Sequence, residues 1–168
     1  MQARINGGSE NAIDPGFDAM RRISPGVLAW ESGPGKISQM MQTGEAALGV
    51  WGNHRAAYLV DQGVPVKFVF PKEGAVSAVN AVCAVQGGPQ PKLAQELIQY
   101  LVSPEVQVIL ATVNGWGPVN KQVKLAPEVA SKVIYGPEQV SKLVPVDYTV
   151  INPNMPEWTK RWNREIER

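Results

Sequence analysis

The side chains able to do chemistry are few, and the best placed of them are consecutive. Trp51-Gly52-Asn53 offers an indole face and a side-chain amide just before His54-Arg55, where a helical pattern begins. A helix N-terminus adds backbone N–H groups that have no partner inside the helix. Such a set suits holding a small polar molecule. Nucleophilic catalysis has little to work with. His54 is the only histidine and Cys83 the only cysteine, so a Ser-His-Asp or Cys-His arrangement would have to use one or both of them. No Gly-x-Ser-x-Gly elbow occurs, and Cys83 falls within an apolar run, where a buried, inert thiol is expected. His54 is expected at the surface beside the helix N-terminus. A single cysteine excludes an internal disulfide and a thiolate zinc cluster. Glu10, Asp14, Asp18, Glu31, Glu45, Asp61 and Glu73 fall at turns and helix ends, where solvation and the helix dipole account for them. Ser32-Gly33-Pro34-Gly35 precedes a helix but lacks the Gly-Lys-Ser/Thr ending of a phosphate-cradling loop.

The residues alone leave a plainer alternative open, in which Trp51 is a core residue and Asn53 only a helix cap. The choice depends on the elements that carry them. Gly44 to Val50 is small and apolar and reads as a buried strand, followed by a helix over Arg55–Val60 that Gly63 closes. A strand feeding a helix through 51–53 would place those residues beyond the strand's carboxyl end, where open α/β sheets bind ligands. Further strands are expected at 27–30, 64–70 and 75–85, with 145–148 extended. Helices are expected from Asp14-Pro15 to Ile23, after Gly35, at 92–102, from Ser103-Pro104-Glu105 to Asn114-Gly115, from Pro127 and Pro137, and at 155–167. In the last, Trp158, Trp162 and Ile166 share one side and read as packing, not as a stacking platform. Alternating strands and helices predict an α/β architecture.

Composition narrows the partners. The chain has 168 residues, 44% hydrophobic and 18% charged, enough for one ordinary domain with a sizeable core. Sixteen Lys and Arg against fifteen Asp and Glu give no broad attraction to nucleic acid or an anionic membrane. No cofactor or metal site is expected. No apolar run approaches a membrane span, and 1–8 carry no hydrophobic signal region.

Several segments in order resemble the C-terminal part of bacterial ABC-transporter solute-binding proteins of the spermidine/putrescine type. They are Gly44-Glu45 leading to Val50-Trp51-Gly52-Asn53, Gly63-Val64-Pro65-Val66, Phe70-Pro71-Lys72-Glu73-Gly74, Leu101-Val102-Ser103-Pro104-Glu105-Val106, Gly115-Trp116-Gly117-Pro118-Val119-Asn120, and Glu157-Trp158-Thr159-Lys160-Arg161-Trp162-Asn163. The resemblance implies a type II periplasmic-binding-protein fold of two α/β lobes that clamp a solute. Residues 1–78 would then be part of the second lobe, 79–118 would cross into the first, and 119–168 would return to the second. It also implies a longer protein with most of the first lobe upstream, a membrane permease as partner and a periplasmic location. The family's cleft tryptophan matches Trp51. The Trp and Asp that polyamine binders carry after Pro-Lys-Glu-Gly read Ala78 and Asn80 here, which removes a carboxylate for an ammonium group and favours a different small polar solute. The resemblance, with the residues above, makes Trp51, Asn53, Ser77, Asn80, Asp147 and Tyr148 the candidate ligand-binding residues. An isolated chain of this kind is expected to self-associate, and a non-catalytic interaction domain is the alternative function.

Overall fold

The structure is a computed structural model that describes residues 1–31 and 33–167. Ser32 of the glycine-rich stretch lies outside the described residues. Most helices form where punctuation and periodicity put them: α2 Asp14–Ile23, a 3-10 turn at Ser24–Gly26, α3 Pro34–Gln42, α5 Pro91–Leu101, α6 Pro104–Asn114, α7 Pro127–Ala130 and α8 Pro137–Ser141; α1 Gln2–Ile5 has no counterpart in the expectation, α4 Asn53–Asp61 starts ahead of the expected Arg55, and α9 Tyr148–Glu165 starts ahead of the expected 155. Seven of these carry proline in the first turn or, in α9, farther along; at a first turn the missing N–H costs no hydrogen bond. At α6 the Ser103 hydroxyl accepts from Val106 N, and Gly115 ends the helix with φ +67°.

Strands are where expectation and structure part. Among the described residues the only sheet is a parallel pair, β1 Ala75–Val76 with β2 Leu143–Val144, in register Ala75↔Leu143 and Val76↔Val144. The stretches 27–30, 44–50 and 64–70, and the rest of 75–85, join no ladder, and 44–50, expected as a buried strand, is largely exposed. A helix satisfies its own backbone, whereas a strand exists only against a neighbour, so apolar and β-branched composition alone does not make one. Cys83 shares this outcome: it is exposed, not buried, because the run around it packs on no sheet.

The chain divides into two compact units. One comprises Met1–Ala47, Phe70–Ser77 and Leu143–Arg168; the other comprises Leu48–Val69 and Ala78–Lys142.

In the first unit the core holds Ala3, Phe17, Ala19, Met40 and Ile166. Gly16 lets α2 lie on α1, since a Cβ there would stand 2.9 Å from Ala3 N. The tail helix docks by its predicted apolar side: Trp162 meets Trp30 edge to face at 4.9 Å between ring centroids. The Arg161 guanidinium lies 4.1 Å over the Phe17 ring and pairs with Asp14 and Glu165. In the second unit the core holds Leu59, Val106, Ala111, Val123 and Val133, with one buried polar side chain, Gln107. Gln107 Nε2 donates to Leu101 O at 2.8 Å and its Oε1 accepts from Val119 N at 2.9 Å, tying α6 to the end of α5 and to the turn at 117–120.

Candidate functional site

Three of the six predicted site residues fall in each unit. In the second unit, Trp51 is half-buried and stands two residues ahead of α4. The cap position belongs to Gly52, extended at φ −72° and ψ 140°, and Asn53 is the first helical residue, with no cap bond from its side chain. The expectation of Asn53 as a cap is thereby corrected. Its amide is drawn elsewhere, because two carbonyls converge on it: Nδ2 donates to Gly115 O at 3.2 Å and to Lys132 O at 3.4 Å. Asn80 is exposed in the ladder-free run that opens the segment Ala78–Lys142.

His54 is half-buried, less open than expected. Its ring lies against Gly52, where a Cβ would stand 2.8 Å from Cε1. Burial first, and then the charge of Arg55, hold its pKa below the ordinary histidine value. His54, Ala57, Tyr58 and Asp61 present one face of α4 to an open groove of about 590 Å³, walled opposite by the end of α6, Trp116 and Lys132. Lys132 Nζ pairs with Asp61 at 2.8 Å beside it.

In the first unit, the parallel ladder brings the other three together. Ser77 N donates to Val144 O at 3.4 Å, so Ser77 follows β1 at the carboxyl end of the pair, and Asp147-Tyr148 follow β2 at the same end. Asp147 is the cap of α9. Its carboxylate accepts from Thr149 N at 2.9 Å and from the Thr149 hydroxyl at 2.6 Å, and these two bonds, side chain first, hold its pKa below the ordinary value. Tyr148 is exposed as the first residue of α9; the extended conformation expected through it ends at Asp147, where the cap turns the chain into helix.

Two partners at that end were not singled out. Arg4 holds Glu10 through both guanidinium contacts, 2.5 Å from Nη2 and 3.2 Å from Nε, and Asp147 N donates to the same carboxylate at 3.5 Å. The Arg4 side chain is the main reason that the Glu10 pKa falls to about 2. Arg4 and Glu10 border a mainly apolar cavity of about 240 Å³ with Val76, Val144, Val146 and Trp158. Nothing local in the sequence couples Arg4 to Glu10; the loop 6–9 brings them together. Among the described residues no group of three or more His, Cys, Asp or Glu is arranged to hold a metal ion, and no helix is long and apolar enough to cross a membrane.

Comparison with known proteins gives one consistent family. Residues 6–137 match the sequence profile of bacterial extracellular solute-binding proteins. The chain is 28% identical over 143 residues to the spermidine/putrescine-binding periplasmic protein of Escherichia coli K12, covering 80% of this chain and 40% of that one. It is 24% identical over 123 residues to the gamma-aminobutyric acid-binding protein of Pseudomonas aeruginosa, covering 73% and 34%. The crystal structure of an ABC transporter from Clostridium perfringens superposes with a TM-score of 0.76 at 24% identity, over 98% of this chain and 52% of the other, which shows the fold. The chain thus spans well under half the length of the curated relatives it matches.

Proposed function

The chain belongs to the bacterial extracellular solute-binding protein family, and from that premise we propose that it forms part of the solute-recognising component of an ABC importer. It works in the periplasm beside a membrane permease, binds a small polar solute between two lobes and catalyses no reaction. The observation that carries this reading is Trp51, half-buried directly before α4, in a chain whose family match runs through it. Trp51 supplies an aromatic wall. Within the same unit Asn80 adds an amide and Asn53 supports the Trp51 turn; in the first unit, taken by itself, Ser77, Asp147 and Tyr148 at the carboxyl end of the β1–β2 pair are proposed as polar contacts, with Asp147 also capping α9. The lobe assignment of 1–78, 79–118 and 119–168 belongs to this reading.

The relatives named above are described as binding spermidine and putrescine or gamma-aminobutyric acid. Ala78 and Asn80 stand against a polyamine, because a neutral amide forgoes the charge-assisted bond that a carboxylate gives an ammonium group, about 1.5–3 kcal/mol. Calorimetric titration with spermidine, putrescine and gamma-aminobutyric acid tests this. Polyamine binding at micromolar affinity or tighter contradicts the Asn80 argument.

A second reading concerns the chain by itself. Val50, Val79 and Val85 are exposed by 97%, 75% and 78% on ladder-free backbone. Apolar area leaving water contributes about 25 cal/mol per Å², and soluble monomers seldom leave such stretches uncovered. Copies of the chain therefore associate through these runs, by edge pairing or exchange of a segment. Light scattering at low micromolar concentration decides: a clean monomer refutes association.

A further inference from the structure

The helix start that follows Trp51 is tied to backbone carbonyls far away in the sequence, and we propose that Asn53 and Gly115 act as positioning residues that hold the Trp51 indole in place for the solute. The proposal rests on the reading of Trp51 as a solute contact. The Asn53 amide nitrogen donates to two backbone carbonyls, Gly115 O at 3.2 Å and Lys132 O at 3.4 Å, across sequence separations of 62 and 79. Two carbonyl partners admit only the donor end of the amide, so the orientation of the group follows from the chemistry. With its donor committed there, Asn53 reaches the solute through Trp51 rather than by direct donation.

Gly115 is required on two independent grounds. It is in the left-handed conformation, φ +67° and ψ 26°, where it ends α6, and its carbonyl accepts from Asn53. A Cβ at this position would also stand 3.1 Å from both Cα and Cβ of His54, so the end of α6 sits close against the first turn of α4 and a side chain there would press the two apart by a few tenths of an ångström. On the other side, the His54 ring lies so close to Gly52 that a Cβ there would meet Cε1 at 2.8 Å. Gly52 is the single residue between Trp51 and the helix. Asn53 is thus tied at the start of α4 by bonds to distant carbonyls, and Gly52, extended at φ −72° and ψ 140°, is the whole tether between that anchor and Trp51. On this proposal the setting of Trp51 comes from the meeting of two helix ends, with the His54 ring against Gly52 as a local addition.

The test needs no solute, so its failure is distinguishable from failure of the solute-binding reading. Acrylamide quenching is measured for each variant with Trp51 and with Trp51→Phe, and the difference isolates Trp51 from the other four tryptophans. Asn53→Ala and Asn53→Asp, neither of which can donate from the side chain, are each expected to raise the Trp51 quenching constant about twofold or more. Gly115→Ala is expected to do the same, and Asn53→Ala with Gly115→Ala no more than the larger single effect, because both release one clamp. Val123→Ala, a core truncation in the same unit, is expected to lower the melting temperature without changing Trp51 quenching. Unchanged quenching in Asn53→Asp, or a rise in Val123→Ala as large as that in Asn53→Ala, overturns the proposal. So does full additivity in the double variant.

Discussion

Replacing Gln107 by leucine should destabilise the second unit by an amount that the structure lets one work out. The side chain is 8% exposed and makes two hydrogen bonds, to Leu101 O at 2.8 Å and from Val119 N at 2.9 Å. Leucine has nearly the same volume, so no large cavity forms and the cost is the two bonds. At about 1 kcal/mol each they contribute about 2 kcal/mol, and a carbonyl or N–H left unpaired inside would add about 1–3 kcal/mol. The Val119 side chain is 66% exposed, so water can reach its N–H and the addition sits at the low end. The expected loss is about 2–3 kcal/mol, or roughly 4–12 °C of melting temperature for a chain of this length. Differential scanning calorimetry with circular dichroism at 222 nm reads it, with any separate transition of the second unit followed on its own. Gln107→Glu separates the two bonds: its carboxylate still accepts from Val119 N but faces Leu101 O without a proton. It should be worse than leucine at neutral pH and recover as the solution is acidified and the carboxyl regains a donor. A shift below about 1 °C in both variants would refute the strut assigned to Gln107.

Other perturbations follow from the same contacts. Glu10, with its pKa at about 2 because Arg4 hydrogen-bonds its carboxylate, is more acidic folded than unfolded; its contribution is fully present above about pH 4.5 and is lost as pH falls towards 2. Glu10→Gln should therefore flatten the acid limb of a melting-temperature profile between those values, and an unchanged limb would exclude Glu10 as its source. Arg161→Lys keeps the charge but forfeits the planar stack on Phe17 and the fork shared between Asp14 and Glu165, at a cost of about 1–2 kcal/mol in urea unfolding. Equal stability of the lysine variant would show that charge alone matters there.

How much of this was legible in the sequence depends on where each element finds its hydrogen bonds. Ser103-Pro104-Glu105 and Asn114-Gly115 bracket α6 as expected, since a hydroxyl cap, a first-turn proline and a left-handed glycine are all local devices. Pro127 and Pro137 open α7 and α8 for the same reason. The run 75–85 shows the limit. Its composition is that of a strand, yet only Ala75–Val76 pair, and their partner lies at Leu143–Val144, which no local pattern marks. Expecting Cys83 to be buried failed with it. At the candidate site, the place of Trp51 just ahead of a helix was legible, because Gly52 and the helical pattern after it are local. The true bonds of Asn53, to carbonyls 62 and 79 residues away, and the Arg4–Glu10–Asp147 link were not, because each is created by tertiary approach between segments that carry no matching signal.

The central claim, solute recognition with Trp51 as the aromatic wall, is tested most directly by titrating the chain with spermidine, putrescine, gamma-aminobutyric acid, amino acids and organic acids while following tryptophan fluorescence. The expected result is a saturable change with a small polar solute that disappears in Trp51→Ala, in a variant whose stability falls by less than the roughly 3–5 kcal/mol of a large core truncation. A response that survives Trp51→Ala unchanged, in a variant that melts as a core truncation would, contradicts it, and so does the absence of any response across the panel.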